Sequence, residues 1–340
     1  MQTGLPKLIA DYHASVRSAV ALMYRSGIDL PYCRSDWIDA RIDLDCTLDC
    51  GIRFLKHGAG CAVFLPTGAV DFDFGQQGEI DGIDLWKLLC FARGELSSYG
   101  FTELSFREEF SKAVQSGELV LSADNLHYVA NEPRSLAVDI DSTMPGDKLP
   151  SRNLDRVLDL YAHQYLAAEL MRKNYDRLYD RWRKRRSLPS KDTIDLRIYL
   201  LSWLGFLRAT CEGFEALRMR VLLSEHRPEE FTELIPDANA IGKAMKRHSD
   251  LLRQVRNNVF HLRSDVDVVR RFFAEGADRL GWARELLRAF ADFFSTYRVL
   301  CEVHYMANGR YGELTRGRKR VNRASAVGRH KQSSVGGADR

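Results

Sequence analysis

Arg256, Asn257 and His261, in the stretch LLRQVRNNVFHLRSD (residues 251–265), are the residue types that cut a phosphodiester without a metal. An imidazole, with an ordinary pKa of about 6.5, takes or gives a proton at neutral pH. A guanidinium stays charged and holds two phosphate oxygens at once. It therefore stabilises the charge that gathers when an RNA 2′-hydroxyl attacks the adjacent phosphorus. In this division of labour His261 moves protons, Arg256 holds the phosphate, and Asn257 orients either side chain or the phosphate itself.

Spacing alone does not single these residues out. Arg156/His163, Arg220/His226, Arg298/His304 and Arg323/His330 also have four to six residues between them, and a chain this rich in arginine yields about three such pairs by chance. Context separates one pair. Only Arg256 is followed directly by a small amide, and only His261 is preceded by an apolar pair, Val259-Phe260, that can anchor it to a core. On a straight helix, at about 100° per residue, positions 256 and 261 point roughly 140° apart. Convergence requires a helix break near Asn258, an arginine that reaches around, or a second chain. A plain C-cap at the end of a helix is the structural alternative.

The elements that position this stretch are helical. From residue 153 onward strand signals vanish. Periodic apolar residues predict long helices over about 153–186, 191–224 and 279–307, with a third helix starting near Ala238, after a loop around HRPEEFTELIPD, and carrying Arg256 late in its run. Four antiparallel helices with modest connections imply an up-and-down bundle over 153–308. Lys243, Lys246, Arg247, Arg253 and Arg263 flank the candidate site and give it a basic surround suited to RNA. Residues 309–340 hold nine Lys+Arg against two Asp+Glu with little to bury, and are expected to be a disordered basic tail.

Residues 153–308, through LLRQVRNNVFH and the preceding WLGFLRATCEGFEAL, resemble HEPN domains, whose ribonuclease members carry an Arg–polar–His motif of this kind. The resemblance implies a metal-independent endoribonuclease, free of cofactors, that works as a homodimer with two Arg–His pairs lining one cleft. It also implies a setting in toxin action or anti-phage defence. The matching residues are Arg256, Asn257 and His261. Glu212 falls on the preceding helix where many members keep a polar or acidic residue, and is a candidate support. Some members bind nucleotide, RNA or protein without cutting, and that alternative stays open.

The first 150 residues are of another character. They hold 13 Lys+Arg against 22 Asp+Glu, a net of −9, while the remainder holds 37 against 24, a net of +13. Such asymmetry suits a second half that meets a polyanion. An apolar stripe over 5–26 predicts a helix, and alternating runs over 41–74, separated by HGAG and PTGA, predict an antiparallel meander. Asp84 reads as the cap of a following helix, another helix is expected near 105–115, and two short strands flank Asp124-Asn125. This gives an α+β module over 1–130 and a Pro- and Gly-bearing linker over 131–152.

Asp71, Asp73, Glu79, Asp81 and Asp84 have the chemistry to hold a hard cation, but their alternation and turn positions favour structural roles. Cys46, Cys50, His57 and Cys61 have the types of a zinc set without a zinc spacing. No metal site is expected. The module is similar, over about 35–130, to an uncharacterised bacterial domain in which a GxVDFDFGxxGEIDGxD stretch precedes a helix. That likeness carries no activity, and a regulatory role for a ligand or protein partner is the expectation. The seven cysteines at irregular spacing fit reduced thiols, no apolar run reaches a membrane span, and a cytoplasmic setting is expected.

Overall fold

The computed structural model describes residues 4–48, 51–260, 266–274 and 278–315. The chain divides into two compact units, Met1–Ser142 with Tyr305–Arg340, and Thr143–His304.

In the first unit, α1 (Leu5–Arg25) buries Leu8, Tyr12, Val16, Ala19, Val20 and Met23 along one face, as its apolar spacing requires. Strands β1 (Asp45–Thr47), β2 (Arg53–His57), β3 (Gly60–Leu65) and β4 (Gly68–Asp73) pair in sequence order as an antiparallel meander. Val63, Val70, Phe72 and Phe74 are fully buried, whereas the residues between them keep some exposure. A short helix that the sequence did not announce, α2 (Arg34–Asp39), seats Trp37 in the core, where its indole N–H donates to Gly60 O at 3.0 Å.

Asp84 caps α3 (Leu85–Phe91) by accepting from the Lys87 N–H at 3.0 Å. Thr102 caps α4 (Glu103–Ser116), which ends at Gly117 in the left-handed region. Strands β5 (Leu119–Leu121) and β6 (His127–Val129) form a separate hairpin that turns through Asn125, φ 63°. Helices around a small antiparallel sheet are the expected α+β composition.

The boundary of the basic tail differs from the expectation. Tyr311–Glu313 forms a 3-10 turn, and Arg310 is fully buried with its guanidinium on Glu313 at 3.0 Å. Glu313 also accepts from the Ser142 hydroxyl at 3.1 Å, so residues 309–315 belong to the folded first unit. Composition marked this segment as a tail because one arginine inside a basic stretch looks solvated until its carboxylate is in place. The rest of that stretch, 316–340, lies outside the described residues.

The second unit is helical. A helical run contains α5 (Arg156–Asp159), a π-helical turn over Leu160–Tyr165 and α6 (Leu166–Arg185). The expected second helix is two: α7 (Ser190–Ala216) and α8 (Met219–Glu225), separated where Arg218 adopts φ 47°. The expected third helix is also two: α9 (Ile235–Lys246) and α10 (Ser249–Phe260), parted by a turn at Arg247-His248. The segment assigned to a loop contains a 3-10 helix, Glu229–Leu234. Two further helices follow, α11 (Val266–Phe272) and α12 (Arg279–Ala307).

Helix α7 packs against both α6 and α10. Its Phe214 meets Phe290 and Phe293 of α12 edge-on, at 5.3 and 5.2 Å between ring centroids. One polar network lies within this unit. Asp155 is fully buried and accepts from Arg227 at 2.9 Å, the Tyr297 hydroxyl at 2.7 Å and the Val157 N–H at 2.9 Å. Among the described residues no helix is long and apolar enough to cross a membrane.

Candidate functional site

Helix α10 presents Leu252 and Val255 to the core, one turn apart. Arg256 follows Val255 directly, so it emerges at the edge of the buried face and is half-buried. Its Nη2 donates to Glu212 Oε1 at 2.5 Å. Glu212 comes from α7, whose buried Trp203, Leu204, Leu207 and Cys211 fix the rotation of that helix. Arg208 lies one turn before Glu212 and donates from Nε to the same Oε1 at 3.1 Å. Its Nη1 donates to the Ser249 hydroxyl, at the start of α10, at 3.0 Å. One carboxylate therefore joins two guanidinium groups from two packed helices. A second carboxylate, Glu215, stands 4.0 Å from Arg208.

Partial burial pushes the Glu212 carboxyl up, but the Arg256 hydrogen bond and the Arg208 charge more than offset it. The group is held below the ordinary glutamate value and stays ionised at neutral pH. Among the described residues, Glu212 is the one hydrogen-bond partner of Arg256. A guanidinium has five N–H donors in a planar fork, so one bond to Glu212 leaves donors for an oxyanion.

Asn257 and Asn258 lie within α10, which continues to Phe260. The helix thus does not break near Asn258, and no capping turn forms at Arg256-Asn257. His261 and Arg263 lie outside the described residues. Of the basic surround, Lys243, Lys246 and Arg247 are exposed, and Arg253 pairs with Asp250 on its own helix at 3.3 Å.

Of the competing pairs, Arg298/His304 has other partners. Arg298 donates to the Tyr161 hydroxyl at 2.8 Å and stacks on its ring, while His304 meets Asp147 at 2.9 Å. Sequence reasoning missed Arg208 and Ser249. The available signal was an arginine inside an apolar helical run with a glutamate four residues later, a spacing that puts both on one face.

In the first unit the acidic residues have local partners. Asp71 and Asp73 both lie on Lys87, at 2.9 and 2.8 Å, and His57 reaches Asp71 at 3.1 Å. His57 pairs with Gly60 and Gly60 with Asp73 in the sheet register, and a side chain at 60 would run into the Phe72 carbonyl and Asp73. Burial pushes the Asp71 carboxyl up, and His57 and Lys87 outweigh it to hold it below the ordinary aspartate value.

Glu79 accepts from Arg134 at 3.0 Å, and Asp81 accepts from the Ser135 N–H at 3.1 Å. Of the cysteine–histidine set, Cys50 lies outside the described residues. Cys61 is fully buried, 3.6 Å from the Met23 sulfur, and so does not share a site with the half-exposed His57. Among the described residues no group of three or more His, Cys, Asp or Glu side chains is placed to hold a metal ion.

Comparison with known proteins bears on the first unit. Residues 5–129 match a family described as a domain of unknown function, DUF6896. The match begins earlier than the sequence likeness suggested, because α1 packs on the meander and is part of the same module. No curated protein matches the chain. No solved structure matches it either.

Proposed function

We propose that the second unit is a HEPN-type, metal-independent endoribonuclease built on an up-and-down helical bundle and working as a homodimer. The observation that carries this reading is the Arg256–Glu212 bond. It fixes the guanidinium at the surface of α10 with donors left over for a phosphate, and it comes from the acidic position the family resemblance singled out. His261 takes the 2′-hydroxyl proton, the 2′-oxygen bonds to phosphorus, and the P–O5′ bond breaks. The products are a 2′,3′-cyclic phosphate and a 5′-hydroxyl end that receives a proton. Arg256 stabilises the charged intermediate geometry and Asn257 orients the phosphate. With α10 unbroken past Asn258, the pair is completed by a reaching arginine or by the second protomer. The first unit regulates this activity through a ligand or protein partner, in a setting of toxin action or anti-phage defence.

A second reading is supported by the same bond. Glu212 neutralises Arg256 in part, which suits a module that binds nucleotide, RNA or a protein without cutting. Incubation of the full chain with RNA in EDTA separates the two. The ribonuclease reading expects cleavage with cyclic-phosphate ends, reduced about 10²- to 10⁴-fold in His261→Ala. Retained RNA binding with no cleavage, or equal cleavage by wild type and His261→Ala, overturns it.

A further inference from the structure

A cavity of about 340 Å³ opens between α7, α8 and α9 and has no part in the chemistry above. It lies within the range of roughly 300–1,000 Å³ typical of small-ligand sites. Its floor is apolar and buried: Phe214, Met219, Ala238 and Met245. Its exposed rim carries three cations, Arg218, Arg220 and Lys246, and one carboxylate, Glu215. Among the described residues none of these three cations has a carboxylate partner. An apolar floor beneath a net positive rim matches a ligand that is aromatic at one end and anionic at the other. The two methionines add a polarisable lining that adapts to a ring.

Two backbone features keep this cavity as it is. Arg218 has φ 47°, a conformation disfavoured for a residue with a side chain, and it forms the junction that brings α8 to the cavity wall. Gly242 sits inside α9, where glycine is among the poorest helix formers. A Cβ at 242 would meet nothing within 4 Å, so no neighbour excludes a side chain there. The bare position leaves the cavity open. Glu215, also on the wall, lies three residues after Glu212 on the same face of α7 and 4.0 Å from Arg208. The cavity is therefore about one helical turn from the arginine cluster.

We infer that this cavity is a nucleotide-binding subsite, with a base on the Phe214–Met219–Met245 floor and the attached phosphate against Arg218, Arg220 and Lys246. In an RNA strand this places one base beside the phosphate held at Arg256. The identity of the strand as substrate rests on the ribonuclease reading; binding of the base does not.

The full-length chain is tested by calorimetry with AMP, GMP, CMP and UMP, with the nucleosides and with inorganic phosphate, and by fluorescence anisotropy with a short RNA oligomer. Gly242→Leu fills the cavity while raising helix propensity, so its thermal midpoint is expected to equal or exceed that of wild type. Its affinity for mononucleotide or oligomer is expected to fall at least tenfold. Lys246→Met, an exposed position, is expected to weaken binding several-fold and to reduce its salt dependence.

Mononucleotide binding that Gly242→Leu loses identifies a free nucleotide as sufficient, whereas a loss seen with the oligomer alone identifies a strand; both uphold the subsite. Nucleotides that bind no better than inorganic phosphate, together with an oligomer that binds Gly242→Leu as it binds wild type, overturn it. If wild type cuts no RNA yet Gly242→Leu still loses tenfold in binding, the ribonuclease reading fails and the subsite stands.

Discussion

Two clusters in the second unit are made of the same materials and are built for different ends. Asp155 and Arg227 leave 0% and 7% of their side-chain surface in water, and the pair is closed by Tyr297 and the Val157 N–H. Glu212 and Arg256 leave 35% and 25% exposed, and the arginine has one partner among the described residues. Removing charges from water costs several kcal/mol per ion, and a buried pair is retained only when its donors and acceptors are all met. The Asp155 network meets that condition and holds helices together. The Glu212 network stops short of it, which leaves a positioned guanidinium with unused donors.

Asp155→Ala tests the closed cluster most severely. It leaves Arg227 buried without its carboxylate and removes the cap on Val157, and it is expected to destabilise the second unit by about 3–5 kcal/mol in denaturant titration. A loss under about 1 kcal/mol would remove the contrast. Arg256→Ala should do the reverse. The half-exposed pair supports stability by no more than about 1 kcal/mol, whereas RNA cleavage should fall about 10²- to 10³-fold if its free donors hold the phosphate. Equal damage to folding and cleavage would make Arg256 a structural residue like Arg227.

Glu212→Gln sharpens the same point. It keeps a hydrogen-bond acceptor while removing the charge that Arg208 and Arg256 share, so folding should be retained. RNA affinity should rise severalfold and become steeper in salt. Unchanged affinity would mean that the carboxylate does not compete with the phosphate.

The pH dependence gives the smallest effect. The folded-state value of Glu212 is depressed below 4.5, so its contribution to stability is fully present above that unfolded value and is lost as pH falls through the folded value. The stability difference between wild type and Glu212→Gln should therefore be flat from pH 8 to about 5 and should shrink only in more acid solution. A difference already fading near pH 6 would point to a histidine instead.

Much of the fold was legible without coordinates. Helix α1, the four-stranded meander, the Asp84 cap and α12 follow from apolar period, alternation and capping chemistry, all properties of residues a few positions apart. The breaks at Arg218 and at Arg247-His248 were not legible, because periodicity runs through both and nothing in the local chemistry forbids a helix there. At the candidate site, context picked Arg256 and the family resemblance suggested Glu212, while Arg208 and Ser249 were not singled out. The i,i+4 spacing of Arg208 and Glu212 was there to be read, but Ser249 reaches Arg208 only when a second helix packs on the first.

The sequence alone was enough to establish an acidic α+β half, a basic helical half and the apolar faces of the longest elements, because periodicity and charge are carried by neighbours along the chain. Tertiary structure made the other decisions. It gave Arg310 a buried carboxylate, assigned Arg298 and His304 to other contacts, and brought Glu212 to Arg256 across 44 residues of chain. Those outcomes depend on which helix faces meet, and a meeting of faces is a property of packing rather than of spacing.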